Sequence, residues 1–523
     1  MRRTIHFIAL GALLAVGCKA TIPDDTFACT VDSDCPDGFS CSAGFCSSSG
    51  GGSDAGGMDG GTLDAGDIDA GDVDAGGTDA GGTDAGTMDA GDVDAGRQPE
   101  NTVAACGDGL DNDGDGLFDC DDAECCATGA CLVGTGACDC PDLVARPEII
   151  VSGDVAAGTV WSCDLDYVLD GEVYVPTGEL TIGPGTRVRA GFGGALAIQR
   201  DARLNARGTA ARPIVFTTTT EIGIRARGDW GGIVLLGDAP INHPSGETTL
   251  PILDSTRTLY GGTNDANDCG TVEYLTIGYS GSTVSGGFAA AGIAFVGCGT
   301  GTTASHIQSY ASGDVGVYVA GGTMRLDHVM AWANDAGGFF YSEGWTGGLQ
   351  YGYLTDNGAN SVTGFTSFAD TSRRPVSSPD LLNLTMTDSG GAAFFIGPEA
   401  GGRLSNSLFG QTAATCVQVD TTADGLIPAL LSVRDTLFWN CGGAGGTDFI
   451  DGVGAAAFQS DASFGNRFED HGTFGPDWVP PTGSAPAAGA GPPPASYDTT
   501  SYVGAFVPGA TAWTDGWVQT TID

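Results

Sequence analysis

Short apolar segments return along this chain at an interval that only a stacked architecture explains. GVYVAGG (316–322) is followed by GFFYSEG (338–344), an offset of 22 residues, and GIAFVGCG (292–299) lies 24 residues before the first. A second series runs beside it: VEYLTIGYSG (272–281), SHIQSYASG (305–313), LDHVMAWAND (326–335), QYGYLTDNG (350–358), LNLTMTDSG (382–390) and LSNSLFG (404–410). Each segment is rich in β-branched or aromatic residues and bounded by Gly, Asp or Ser, the pattern of short strands between tight turns. Helical periodicity is scarce. One coil of this length cannot bury its own apolar face, but stacked coils can. A β-sandwich gives no reason for a repeat near 22 residues. The expectation is an all-β solenoid of parallel strands over 147–471.

The residues 171–237, including LTIGPGTRVRA, ALAIQRDARLNARGTAARPIVFTT and WGGIVLLG, resemble the first coils of bacterial cell-surface lipoproteins. The segment SYVGAFVPGATAWTDGW (501–517) resembles the closing segment of the same group, which includes myxobacteria-like proteins. The resemblance implies a right-handed parallel β-helix, a pectate-lyase-like solenoid, and an envelope location. It implies little about chemistry.

The chain opens with MRRTIHFIALGALLAVG (1–17). A positive start and a short apolar run read as a secretory signal. Ala15-Val16-Gly17-Cys18 resembles a lipobox, with Cys18 acylated and anchored in membrane. Lys19, rather than Asp, points to the outer membrane or cell surface of a Gram-negative bacterium. Cys29, Cys35, Cys41 and Cys46 then form a small knot within 18–46. Exported cysteines at this density read as disulfides; zinc is the competing reading. Residues 47–97 are an Asp/Ala/Gly-rich tract with few bulky apolar residues, expected to stay a disordered acidic spacer.

Residues 98–146 carry the sharpest local chemistry. In CGDGLDNDGDGLFDCDDAECC, Asp111, Asp113 and Asp115 take positions 1, 3 and 5 of a calcium loop, and Gly116 takes the sharp turn. Leu117 supplies a carbonyl, and Asp119 and Asp122 complete the set. Asp122 stands where a bidentate Glu is usual, which predicts modest affinity for structural Ca2+. Cys106 and Cys120 bracket the loop and are placed to clamp it. Cys125, Cys126, Cys131, Cys138, Cys140 and Cys163 complete a dense cluster. Further on, Cys269 with Cys298 and Cys416 with Cys441 are spaced to join neighbouring coils.

Two stretches break the coil pattern. Residues 238–270 are polar and contain three prolines, which predicts a loop projecting from the stack, where binding tends to reside. A second break covers 359–380. Residues 472–523 read as a Pro/Gly-rich wrap ending in aromatics (Tyr502, Phe506, Trp513, Trp517) that cover an open end or edge of the stack.

Several chemistries lack their signatures. Lys19 is the sole lysine, and no lyase motif surrounds Arg373 and Arg374. A formal net charge of −45 repels acidic glycans at long range. Ser280 in GYSGS is followed directly by Gly281, so the nucleophile elbow pattern fails. His243, His306, His328 and His471 are dispersed, with no His-Glu-x-x-His. His306 and His328 sit one coil apart and are expected to stack as a structural pair. No basic patch is evident in the sequence, so nucleic acid is not expected as a partner. The expected function is a non-enzymatic structural or adhesive surface protein contacting glycans or proteins. The alternative is a carbohydrate-binding or polysaccharide-cleaving β-helix.

Overall fold

The computed structural model describes residues 102–108, 120, 123–128, 130–136, 138–284, 290–367, 370–443, 445–471 and 478–522, together with the backbone of 39–42 and 45–48. The chain divides into two compact units, 1–89 and 90–523. In the first, Phe39–Ser42 pairs antiparallel with Phe45–Ser48, with Cys41 opposite Cys46.

In the second unit the strands wind into a right-handed parallel β-helix. Most coils contribute three runs, so three parallel ladders, here faces A, B and C, run along the stack. Thr303–Tyr310 shows the pattern. Residues 303–305 belong to face A, the chain bends at His306, and 307–310 belong to face B; Val315–Ala320 then lies on face C. The next coil repeats it with Arg325–Trp332 and Gly337–Ser342, in register residue for residue: Ser305 opposite Asp327, Ile307 opposite Val329, Val317 opposite Phe339. Neighbouring strands in such a stack lie about 4.7–4.9 Å apart. The ladder begins at Glu148–Asp154 and closes at Arg467–Phe468. The break expected at 359–380 is partly coil, because Asn360–Gly364 continues face C before the chain loops out.

The corners explain how the coils turn without glycine. Between faces A and B stand Tyr274, His306, His328, Tyr351, Asn383, Asn406 and Asp435, all at positive φ between 47° and 60°. Five residues later in each coil, Tyr279, Ala311, Ala333, Asp356, Asp388, Gln411 and Asn440 turn the chain again at positive φ. Left-handed backbone costs a non-glycine residue about 1–2 kcal/mol, so the stacking of each corner on its neighbour must offset that cost. Val317, Phe339, Val362, Phe394 and Val417 point inward from face C, and Ile307, Val329 and Leu354 from face B, into one continuous apolar core. Buried Asn334 and Asn357 join successive coils through an Nδ2 to Oδ1 bond of 3.1 Å.

Disulfides lock the small elements. Cys106–Cys125, Cys120–Cys131 and Cys126–Cys138 cross-link the N-terminal knot, and Cys140–Cys163 ties it to the first coils. Cys106 and Cys120 therefore do not clamp the acidic loop as a pair; each reaches past it to a cysteine further along the chain. Cys269–Cys298 and Cys416–Cys441 link consecutive coils.

Two placements differ from the sequence expectation. Residues 238–270 do not project. Glu247–Thr249 and Leu259–Gly261 form a hairpin, and Ile241, Leu250, Ile252, Leu253 and Tyr260 pack on outward residues of face C such as Tyr174, Ala197, Val234 and Ala294. The prolines and polar residues masked an apolar underside. The C-terminal segment covers neither end of the stack. It runs back along the helix, meeting Asn406 at Gly491, Gln350 at Asp498 and Gln308 at Gln519. Outward Met330 and Tyr353 of face B give Phe506 of the strap an apolar seat.

Candidate functional site

Face C carries aromatic side chains on its outer surface where the hairpin ends. Tyr318, Phe340, Thr363, Phe395, Gln418 and Asp451 are consecutive partners in register. Their neighbours Val317 and Val319, and Phe394 and Ile396, point into the core, so strand alternation sends this set outward. Tyr318, Phe340, Phe365 and Phe395 are half-buried. Their rings form a row: 5.8 Å between Tyr318 and Phe340, 5.5 Å and nearly parallel between Phe340 and Phe365, 5.9 Å between Phe365 and Phe395. Half-buried rings in line present flat apolar surface that is larger than isolated surface residues supply.

The row ends in a cleft of about 540 Å³ lined by Phe395, Gln418, Asp420, Thr421, Asp451 and Val453. It combines an apolar wall with carboxylate and amide groups, the composition of a small-ligand pocket. Asp420 is held by its own turn, accepting from the Thr422 amide at 2.9 Å and hydroxyl at 2.7 Å. At the other end, beside Tyr318, Glu343 and Arg373 pair at 3.1 Å with both side chains mostly buried. Burial pushes the Tyr318 phenol up, while its hydrogen bond with Ser342 opposes that. Asn242 donates to the carbonyls of Thr366 and Pro375 at 2.9 and 3.1 Å, fastening the segment that leads into the hairpin to the loop that carries Phe365 and Arg373.

The sequence-predicted residues fall as follows. Cys18, Cys29, Cys35 and the calcium-loop set Asp111, Asp113, Asp115, Leu117, Asp119 and Asp122 lie outside the described residues. Among the described residues, no group of three metal-ligating side chains occurs. His306 and His328 stack at 4.5 Å, between Tyr274 at 4.2 Å and Tyr351 at 4.7 Å. Trp513 and Trp517 of the strap cover them edge-on. Burial first, and the adjacent His328 second, push the His306 imidazole down to about 4. The Ser280 hydroxyl is fully buried, which removes it as a nucleophile. Arg374 pairs with Glu399 at 3.1 Å. The aromatic row is not among the expectations drawn from the sequence, although GVYVAGG, GFFYSEG and GAAFFIG hold Tyr318, Phe340 and Phe395. The signal was the second large residue in each segment, which a core-facing strand does not need.

No curated protein matches this chain. Among solved structures, the crystal structure of the Dettilon tailspike protein matches with a TM-score of 0.24 and 10% identity over 55% of this chain. The match spans 62% of the tailspike chain. The family model described as "Pectate-lyase like beta helix domain" matches residues 153–450, the region built from the three ladders. The chain belongs to the pectate-lyase-like β-helix family.

Proposed function

We propose that this chain is a carbohydrate-binding β-helix protein. The row of Tyr318, Phe340, Phe365 and Phe395, opening into the cleft at Asp420 and Asp451, carries the reading. Sugar rings present C–H faces to aromatic rings and hydroxyls to carboxylates and amides, and this surface offers both in one line. Membership of a family named for its likeness to pectate lyase supports a polysaccharide ligand. The structural or adhesive reading of the sequence becomes a consequence: a repetitive surface that holds a polymer acts as an adhesin. We further propose that Cys18 anchors the chain by acylation at the outer membrane or cell surface. Ca2+ held by Asp111, Asp113, Asp115, Leu117, Asp119 and Asp122 then stiffens the neck; calorimetry on the full chain tests this, and no uptake at millimolar calcium sinks it.

The central test is retention of the purified, oxidised chain on immobilised neutral and acidic polysaccharides, with new chain ends recorded in parallel. Phe395→Ala is expected to lower retention at least about fivefold, since one aromatic stacking contact is worth roughly 1 kcal/mol, with the circular dichroism unchanged. Retention that ignores Phe395→Ala and Asp451→Asn alike overturns the assignment to this face. New chain ends that disappear in Asp420→Asn or Asp451→Asn extend the reading from binding to cleavage.

A further inference from the structure

A second cleft lies along the outer side of face B in the N-terminal coils. It measures about 600 Å³ and is lined by Arg146, Arg187, Arg212 and Arg225, with Leu143 and Ile222 at its mouth. Four arginines around one cleft stand out in a chain of net charge −45.

The guanidinium groups are fixed in position. Arg146 donates to the carbonyls of Pro141 at 2.9 Å and Gly185 at 2.8 Å. Arg187 forks onto Asp166 at 2.8 and 2.7 Å, and Arg189 shares the same carboxylate. Arg212 binds the Cys138 carbonyl at 3.3 Å and the Asp139 carboxylate. Arg225 donates to the Thr220 carbonyl at 3.2 Å and faces the Tyr279 ring. Asp139 is the acidic residue among the lining groups. Burial first and the charge of Arg187 second hold Arg146 below the usual arginine range, against the pull of Asp166, Asp164 and Asp142. A guanidinium held in place by part of its N–H groups presents the rest, with its charge, to a phosphate.

The mouth of the cleft is apolar and exposed. Val144, next to Leu143, is 99% exposed; Ile222 is 75% and Ile224 in the same loop is 70% exposed. Thr219, at the start of that loop, bonds the Ala190 carbonyl at 3.0 Å. This places the turn bearing Phe192, 82% exposed, against the same loop. Apolar tips gathered on adjoining turns, unlike isolated exposed residues, mark an interaction surface. Exposed tips beside a cationic cleft wide enough for a lipid headgroup are complementary to one surface: anionic headgroups above acyl chains.

We propose that this side of the solenoid docks on an anionic phospholipid surface. Arg146, Arg187, Arg212 and Arg225 hold a headgroup phosphate, and Val144, Ile222, Ile224 and Phe192 enter the acyl boundary. Charges elsewhere on the chain do not forbid the approach. At physiological salt the Debye length is about 8 Å, so local charge decides the contact.

The test uses the full chain with Cys18→Ala, so that no acyl anchor contributes. Co-sedimentation compares vesicles of phosphatidylcholine with vesicles containing phosphatidylglycerol, and a third arm adds inorganic phosphate. Retention is expected only with phosphatidylglycerol. The pair Ile222→Ser and Ile224→Ser, both exposed and safe for folding, should weaken it at least about tenfold, given roughly 0.8 kcal/mol per buried methylene. Arg146→Gln should remove the preference for the anionic lipid. Equal retention on both vesicles, or retention indifferent to both variants, overturns the proposal. Phosphate binding without vesicle retention also overturns it, leaving a site for a free anion. Glycan retention at face C is read separately, so either proposal can fail alone.

Discussion

His306 shows how one residue couples position to chemistry. It stands at φ 51°, stacks between Tyr274 and His328, and lies beneath Trp517. Its folded-state pKa of about 4 lies below the ordinary value of 6.5. Above the ordinary value both folded and unfolded forms are neutral, and the burial costs nothing extra. Between 6.5 and 4 the unfolded chain binds a proton that the folded chain refuses, so stability must fall as pH falls through that window. The groups facing this imidazole are His328, Asp327, Tyr274, Trp513 and Trp517. Thermal denaturation at pH 7, 5.5 and 4.5 should show a declining Tm. The decline should shrink in His306→Phe, which keeps the stack and removes the titration. An unchanged slope in that variant assigns the decline to the carboxylates instead.

At the scale of elements, the C-terminal strap is held by side chains that imitate a strand edge. Gln350 donates its amide to the Asp498 carbonyl at 2.9 Å and accepts the Asp498 amide at 3.0 Å. Gln308 does the same with Gln519 at 2.7 and 2.8 Å, and Asn406 with Gly491 at 3.0 and 2.7 Å. A hydrogen bond of this kind contributes about 1 kcal/mol net, and an orphaned backbone amide adds its desolvation. The double variant Gln308→Leu, Gln350→Leu should therefore speed hydrogen exchange at 498 and 519 at least about tenfold and red-shift emission from Trp513 and Trp517. The coil strands themselves should keep their protection. Exchange unchanged along the strap would mean that the apolar seat at Phe506 and Tyr353 suffices.

These elements also mark where the sequence could be read and where it could not. The coils were legible because their period is written in short apolar segments that local composition cannot hide. The cross-coil partners of Cys269 and Cys416 follow from the same period. The hairpin at 247–261 and the strap were recognised as non-coil, but their seats were not. Those seats depend on which outward residues of faces B and C lack polar character, and outward positions are legible only once register is fixed. Tyr318, Phe340 and Phe395 belong to that class. The arginine cleft is harder still, because Arg146, Arg187, Arg212 and Arg225 meet only after the disulfide Cys140–Cys163 fixes the knot against the first coils.

At the scale of the whole molecule, the solenoid converts a repeat in sequence into a ruler. Tyr318, Phe340, Thr363, Phe395, Gln418 and Asp451 lie on successive coils, spanning roughly 24 Å at the spacing of adjacent strands. A polymer lying along the axis meets this row in evenly spaced steps, whereas a ligand confined to the terminal cleft meets only its last members. The two cases separate by length. Affinity for a bound glycan should rise with each added sugar until the row is spanned and then level off, and Phe340→Ala should lower affinity for long oligosaccharides while sparing short ones. Calorimetry over a length series reads both effects. Affinity that saturates at a disaccharide, with Phe340→Ala silent at every length, would confine the site to the cleft at Asp420 and Asp451 and leave the aromatic row a structural stack.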